Sequence, residues 1–401
     1  MQKTIIFLLG IFLILEVYVY QAFKTLYTSQ NAKLIYWIPT VAVYAFLFYS
    51  ILTFDRGSHK YLNLQVIFSV ILIFVLPKLL VAIFLLIEDL ARLLNFGFNY
   101  VTTENYNYPS RRKFISLVGL GSGAILAAAV LDGILFGKYR HRARIVKLKL
   151  KNLPESFKGY KIVQISDVHS GSFQNPKNLQ HAIDLINEQQ ADLVLFTGDM
   201  VNNYADEFVP FIDLFSQIRG KDGKFAVLGN HDYGEYGVWK NLDEQRNNIP
   251  NLIQHEKKAG FEMLRNEHRV IDRNGEKLYI LGVENWGIPP FPQFGDLDKA
   301  AAGVPAEAAK ILMSHDPSHF DAVVKKHPKN VQLTLSGHTH GMQFGIDLKN
   351  FRWSPVKYKY PKWADLYESE GKYLYVNRGF GVIGYPGRVG ILPEITVFEL
   401  S

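Results

Sequence analysis

The sequence predicts an α/β domain carried behind a bundle of membrane-spanning helices, and three observations lead there. Apolar runs fill the first third of the chain (Thr4 to Phe23, Leu34 to Phe54, Leu62 to Ile87, Ile115 to Phe136). From about Arg144 onward, short apolar strands alternate with amphipathic helices. Five of those strands run into a glycine- or serine-marked turn that bears Asp, Asn or His.

Each apolar run is about twenty residues or longer, enough to cross a hydrocarbon core of roughly 30 Å as a helix. The first has no small-residue cleavage pattern and further runs follow it, so it reads as a retained anchor of a multi-pass cell-membrane protein. Glu16 and Lys78 are costly in hydrocarbon, and they lie past the middle of two spans that run in the same direction, so they are expected to pair. Gly119 and Gly123 make a GxxxG face suited to close helix packing. Both ends of the fourth span are basic, so the positive-inside rule does not choose an orientation. "SRRKFIS" (Ser110 to Ser116) resembles a twin-arginine export signal; read so, it puts everything beyond the fourth span outside the cytoplasm. The plainer reading is a basic flank.

The net charge of +7 is concentrated beside the spans, at Arg111, Arg112, Lys113, Lys138, Arg140, Arg142 and Arg144. Such residues meet anionic head groups, so the expected partner is the lipid bilayer and not nucleic acid. There is no cysteine, which removes disulfides and thiolate ligands and leaves nitrogen and oxygen to hold any metal.

"RIVKLKLKN" alternates with the period of a strand. "YKIVQISDVHSG" is a buried strand that delivers Asp167 and His169, "NLQHAIDLINEQQ" has helical spacing, and "ADLVLFTGDM" ends on Gly198 and Asp199. A helix across Phe208 to Ile218 precedes "KFAVLGNHD", which delivers Asn230, His231 and Asp232. "KILMSHD" delivers His315, and "VQLTLSGHTHG" delivers His338 and His340. In α/β architectures ligands gather beyond the carboxyl ends of the strands. Neutral imidazole nitrogen, charged Asp oxygen and neutral Asn oxygen together can surround two divalent ions without thiolate.

Asp167-Val-His169, Gly198-Asp199, Gly229-Asn230-His231-Asp232, His315 and Gly337-His338-Thr339-His340 together resemble the ordered motif set of the calcineurin-like metallophosphoesterases, in a membrane-anchored subgroup. The likeness runs from about Phe157 to the C-terminus. It implies a four-layer αββα sandwich of two mixed sheets over residues 144–401, behind a membrane region of about four helices over residues 1–140. It also implies that Asp167, His169 and His340 hold one divalent ion (Mn, Fe, Zn or similar). Asn230, His315 and His338 would hold a second, with Asp199 bridging. His231 would protonate the leaving oxygen, and Asp232 would hold its ring. Met342 departs from the glycine that anchored relatives often have.

The implied activity is metal-dependent hydrolysis of phosphodiester or pyrophosphate bonds, with a lipid-linked substrate such as UDP-diacylglucosamine. A catalytically silent membrane protein keeping the fold, a phosphatase of soluble substrates and a transporter with an accessory domain are the competing classes. The silent protein predicts decay among the ligands, and none is missing. "FRWSPVKYKYPKWADLY" (Phe351 to Tyr367) interleaves aromatic and basic residues, so Trp353, Lys357, Lys359 and Trp363 are expected to hold substrate against the bilayer. Alternatively, the segment is a loop folded back on its own domain.

Overall fold

The computed structural model describes residues 2–53, 61–102 and 109–401, so Phe54, where the second apolar run ends, and His59 lie outside it. The apolar runs form α1 (Gln2–Leu26), α2 (Gln30–Leu52), α3 (Tyr61–Thr102) and α4 (Pro109–Leu135). Among the described residues, Gln30–Ser50, Leu64–Phe98 and Ser110–Leu135 are long and apolar enough to cross a membrane. α3 continues well past Ile87, where the third apolar run stops. At about 1.5 Å per residue its 42 residues reach roughly 63 Å. The chain divides into two compact units, the helices through Ile134 and everything from Leu135 to Ser401.

Within the helical unit the expected ion pair is present. Lys78 Nζ lies 2.7 and 2.9 Å from the two oxygens of Glu16, while the Tyr36 and Tyr44 hydroxyls donate to the same carboxylate at 2.9 and 2.6 Å. Glu16 is buried; its charge is tolerable there because every one of these partners is a donor. The GxxxG face packs on α3: a Cβ built on Gly123 would come 2.9 Å from Val81. Arg112 and Arg111, at the start of α4, pair with Glu88 of α3 at 3.5 and 3.8 Å. The two arginines therefore have a structural task inside this unit.

The second unit contains two six-stranded sheets, both mixed. The first joins, in spatial order, β1 (Arg142–Leu148), β14 (Glu394–Leu400), β2 (Lys161–Ile165), β3 (Leu193–Phe196), β4 (Lys224–Ala226) and β5 (Glu262–Met263). The second joins β12 (Asp365–Ser369), β13 (Lys372–Val376), β9 (Leu333–Ser336), β8 (Ala309–Met313), β7 (Glu276–Gly282) and β6 (Glu267–Arg273). A separate ribbon pairs β10 (Ile346–Leu348) with β11 (Phe351–Trp353).

Ile162, Leu193, Leu195, Val227, Ile280, Ile311, Leu333 and Phe398 from both sheets form one buried cluster, which is the seam between them. On the far side of the first sheet, Ile183 of α5 (Gln180–Glu188), Phe215 of α6 (Ile212–Ser216) and Leu252 of α7 (Leu242–Lys258) cover Val163, Val194 and Ala226. Ala300 of α8 (Leu297–Ala300) and Phe320 of α9 (Ser318–Ala322) cover the second sheet at Leu281 and Leu312. The result is the four-layer sandwich. The helix expected over Phe208 to Ile218 is shorter, with 3-10 geometry over Ala205–Phe211 before α6. Pro210 sits at the change, and it lacks the N–H that a continuous helix would use.

Candidate metal centre

β2, β3 and β4 are neighbours running parallel in one sheet, and β8 and β9 are parallel neighbours in the other. Their carboxyl ends therefore deliver five loops to one place. Asp167 and His169 follow β2, Asp199 follows β3, Asn230 and His231 follow β4, His315 follows β8, and His338 and His340 follow β9. Apolar strand residues anchor each loop in the core, which fixes where the polar residue beyond it points.

The loops are strained. Asp167, His169, Asp199, His338 and His340 all have left-handed φ, between 48° and 70°, a region that non-glycine residues seldom occupy and that costs about 1–3 kcal/mol each. Cross-loop hydrogen bonds hold them there. Asp167 N donates to Gly198 O at 2.9 Å and His169 N to Asp199 O at 3.1 Å, while His338 N donates to Asp167 Oδ1 at 2.9 Å. A Cβ on Gly337 would collide with Ser166 Oγ and Asp167 Oδ2, so only glycine lets the β9 loop pass. Gly337→Ala is expected to displace the Asp167 carboxylate and lower metal content, with the fold lasting; metal analysis beside a melting curve checks this.

Two donor groups result. In the first, His169 Nε2 and His340 Nε2 stand 3.0 Å apart, and His340 Nε2 is 3.2 Å from Asp167 Oδ1. In the second, His315 Nε2 is 3.1 Å from Asp199 Oδ2, and His338 Nδ1 is 2.8 Å from Asn230 Oδ1. Asp199 Oδ2 is also 3.6 Å from His169 Nε2, so one carboxylate oxygen faces both groups.

The donor chemistry fits cations. His315 Nδ1 donates to Thr197 O at 2.8 Å, so the fully buried Nε2 is the nitrogen directed at Asp199 Oδ2 and the one a metal would take. Two imidazole nitrogens facing each other and a carboxylate can share at most a proton or two. His338 stands between two oxygens, with Nε2 2.8 Å from the Tyr360 hydroxyl and Nδ1 2.8 Å from the Asn230 amide oxygen.

Electrostatics agree. Burial disfavours charge on Asp199, yet His315 and His231 beside it hold its carboxyl well below the usual range. Burial also works against a charged His315, but the Asp199 carboxylate overrides it and pushes the imidazole up to about 10. Stability from this raised pKa is complete below the unfolded value of about 6.5 and is lost as pH rises through about 10. A metal needs the neutral ring, so loading at pH 7 is expected to release a proton from His315. Calorimetric titration with manganese in buffers of different ionisation enthalpy measures that release; no buffer dependence would contradict it.

Two expectations are corrected. Asp232 does not hold the His231 ring: its buried carboxylate accepts from the backbone N–H of Asp199, Met200 and Gly229 at 2.8 Å and of Val201 at 3.3 Å. It ties the β3 and β4 loops together, and the His231 ring is set instead by Nδ1 on Asn202 O at 2.8 Å. Trp363 is not at a surface; at 6% exposure it packs with Ile391 and Ala364 as a local core. Trp353 is half-buried, while Lys357 and Lys359 are exposed, their ammonium groups over Tyr358 and over Phe291 and Tyr360.

Tyr360, Asp316 and Arg388 were not singled out from sequence as site residues. Tyr360 carries its hydroxyl to His338 and, with Ile288, Pro317, Lys359 and Lys362, lines a cleft of about 330 Å³. Arg388, fully buried, brings Nη2 to 3.3 Å from His340 Nδ1. Asp316 directly follows the candidate donor His315, which is the one signal the sequence offered. Tyr360 and Arg388 carry no local motif.

A family model described as calcineurin-like phosphoesterase matches residues 160–342, and one described as probable calcineurin-like phosphoesterase, transmembrane domain, matches residues 2–138. An uncharacterized metallophosphoesterase of Bacillus subtilis, YkuE, is 31% identical over 303 residues, covering 73% of this chain and 98% of its own. Phosphodiesterase YaeI of Escherichia coli is 27% identical over 301 residues, 73% of this chain and 99% of its own. A transmembrane protein with metallophosphoesterase domain from Danio rerio is 27% identical over 290 residues, 69% of this chain. The match spans 62% of that longer relative.

Proposed function

Because the chain belongs to the calcineurin-like metallophosphoesterases, we propose that it is a membrane-anchored, dinuclear-metal phosphodiesterase. One observation carries the reading: five strand ends from two sheets bring seven nitrogen and oxygen donors within reach of one another. Asp167, His169 and His340 would hold one ion, and Asn230, His315 and His338 the other, with Asp199 facing both. When bound, such a pair supplies a nucleophilic water near neutral pH and neutralises charge on the phosphoryl group.

The chain's own residues do the rest. Thr197 O fixes the His315 ring, Tyr360 fixes His338, and Arg388 abuts His340, so the donors are oriented before any ion arrives. Asn202 O directs the His231 ring, and its Nε2 is the proton donor to the leaving oxygen. Lys359, on the cleft that Tyr360 shares, is placed to attract a phosphate. The name of the E. coli relative supports a diester over a monoester.

The test is direct. Purified protein with manganese should release nitrophenol from bis-p-nitrophenyl phosphate faster than from the monoester, and inactivity with every divalent metal would leave the silent binding protein standing. A lipid-linked substrate, UDP-diacylglucosamine among them, is the finer proposal, motivated by the transmembrane domain. Lipid analysis of cells with and without the protein should show the lipid-linked phosphodiester or pyrophosphate accumulating where the protein is absent. "SRRKFIS" supports a catalytic unit outside the cytoplasm. Protease added outside permeabilised envelopes should digest that unit, and protection would reverse the orientation.

A further inference from the structure

The ribbon of β10 and β11 is closed by the two-residue turn Lys349–Asn350 and belongs to neither large sheet. Alternation along each strand sorts its side chains onto two faces. On one face Asp347 lies opposite Arg352, and that face is tied down. Asp347 pairs with Arg144 and with the fully buried Arg378, at 3.1 Å for the latter, while Arg352 pairs with Asp365. On the other face Ile346 lies opposite Trp353 and Leu348 opposite Phe351. Three of these four side chains are bare, Ile346 at 43%, Leu348 at 63% and Phe351 at 57% exposure, and Trp353 is half-buried.

A two-stranded ribbon is marginal in water on its own. Here ion pairs behind it hold it in place, so its apolar face cannot turn inward without breaking them. Lys349 at the turn and Lys357 and Lys359 beyond β11 are exposed as well. Aliphatic and aromatic side chains rimmed by lysine are the chemistry of a segment lying at the head-group level of an anionic bilayer.

We propose that this face of the β10–β11 ribbon inserts into the anionic lipid surface. Lipid is the partner that a chain with its own membrane-spanning helices always has. A second protein is the poorer occupant, since stable protein interfaces draw on about 20–30 residues a side and this ribbon offers a handful. Only Gly341 to Gly345 separate the ribbon from His340, so docking it also sets the membrane depth of the β9 loop. That consequence rests on the proposed phosphodiesterase; the docking does not.

The absence of cysteine gives the test a clean background. Leu348→Cys and, separately, Asn350→Cys are labelled with bimane in the full chain, reconstituted in nanodiscs containing phosphatidylglycerol; Lys277→Cys, at an exposed position near the start of β7, is the reference. All three side chains are exposed, so their replacement removes no packing. Doxyl-labelled lipid should quench the label at 348 and 350 and leave 277 untouched, with aqueous iodide giving the reverse order. Iodide reaching 348 and 350 without quenching by lipid overturns the proposal. So does shielding from both quenchers, which would put a second copy or another protein there. Because none of these readings uses turnover, an inactive protein would refute the phosphodiesterase and leave this result intact.

Discussion

Asp199→Asn is expected to abolish hydrolysis while the protein stays folded. The amide is isosteric and keeps an oxygen to accept from His231 N, which Asp199 Oδ1 now does at 2.8 Å. What it removes is the negative charge that faces both donor groups through Oδ2. Losing one ion forfeits several kcal/mol of charge stabilisation at phosphorus, about 10³-fold or more in rate. The donors act as a unit, so Asp199→Asn with His340→Ala should be hardly worse than either alone. Metal analysis, a melting curve and turnover of bis-p-nitrophenyl phosphate on the same preparations check the claim. Near-normal activity in a metal-depleted variant would refute the dinuclear reading.

The candidate donors were legible because each follows a buried, mostly apolar strand. Ile162 to Ile165 and Leu193 to Phe196 have no exposed face, so the polar residues just beyond them stand out against the run. The spatial order of the sheet was not legible. β14, the last strand, sits between β1 and β2, parallel to one and antiparallel to the other, and nothing local to Glu394–Leu400 specifies that placement. Trp363 and Asp232 were misread for a related reason. A tryptophan next to a lysine looks the same whether it faces lipid or a core with Ile391, and an aspartate next to a histidine looks like its partner. Three of the four backbone N–H groups that claim Asp232 come from a loop about thirty residues away in sequence, brought close by the pairing of β3 with β4.

His231→Ala is expected to keep both ions and lose turnover. The ring is not among the donor groups, and its Nδ1 is occupied by Asn202 O. Removing it therefore leaves the donors to the metals in place, although His231 packs edge-on to His169 with ring centroids 5.0 Å apart. Burial holds its imidazole below the ordinary range, with Asp199 opposing, so the neutral ring prevails until a negative phosphate enters and favours the proton on Nε2. General acid catalysis of this kind contributes about 10²–10⁴-fold. The size of the loss should depend on the leaving group. A diester of an ordinary alcohol, which cannot depart as an alkoxide, should suffer the full effect, while a nitrophenyl diester, whose leaving anion is already stable, should suffer much less. Equal losses on both substrates would show that the ring positions the loop and gives no proton, and loss of metal would make His231 a ligand support through His169. Retained metal with a loss confined to the poor leaving group is the outcome that assigns the proton to Nε2.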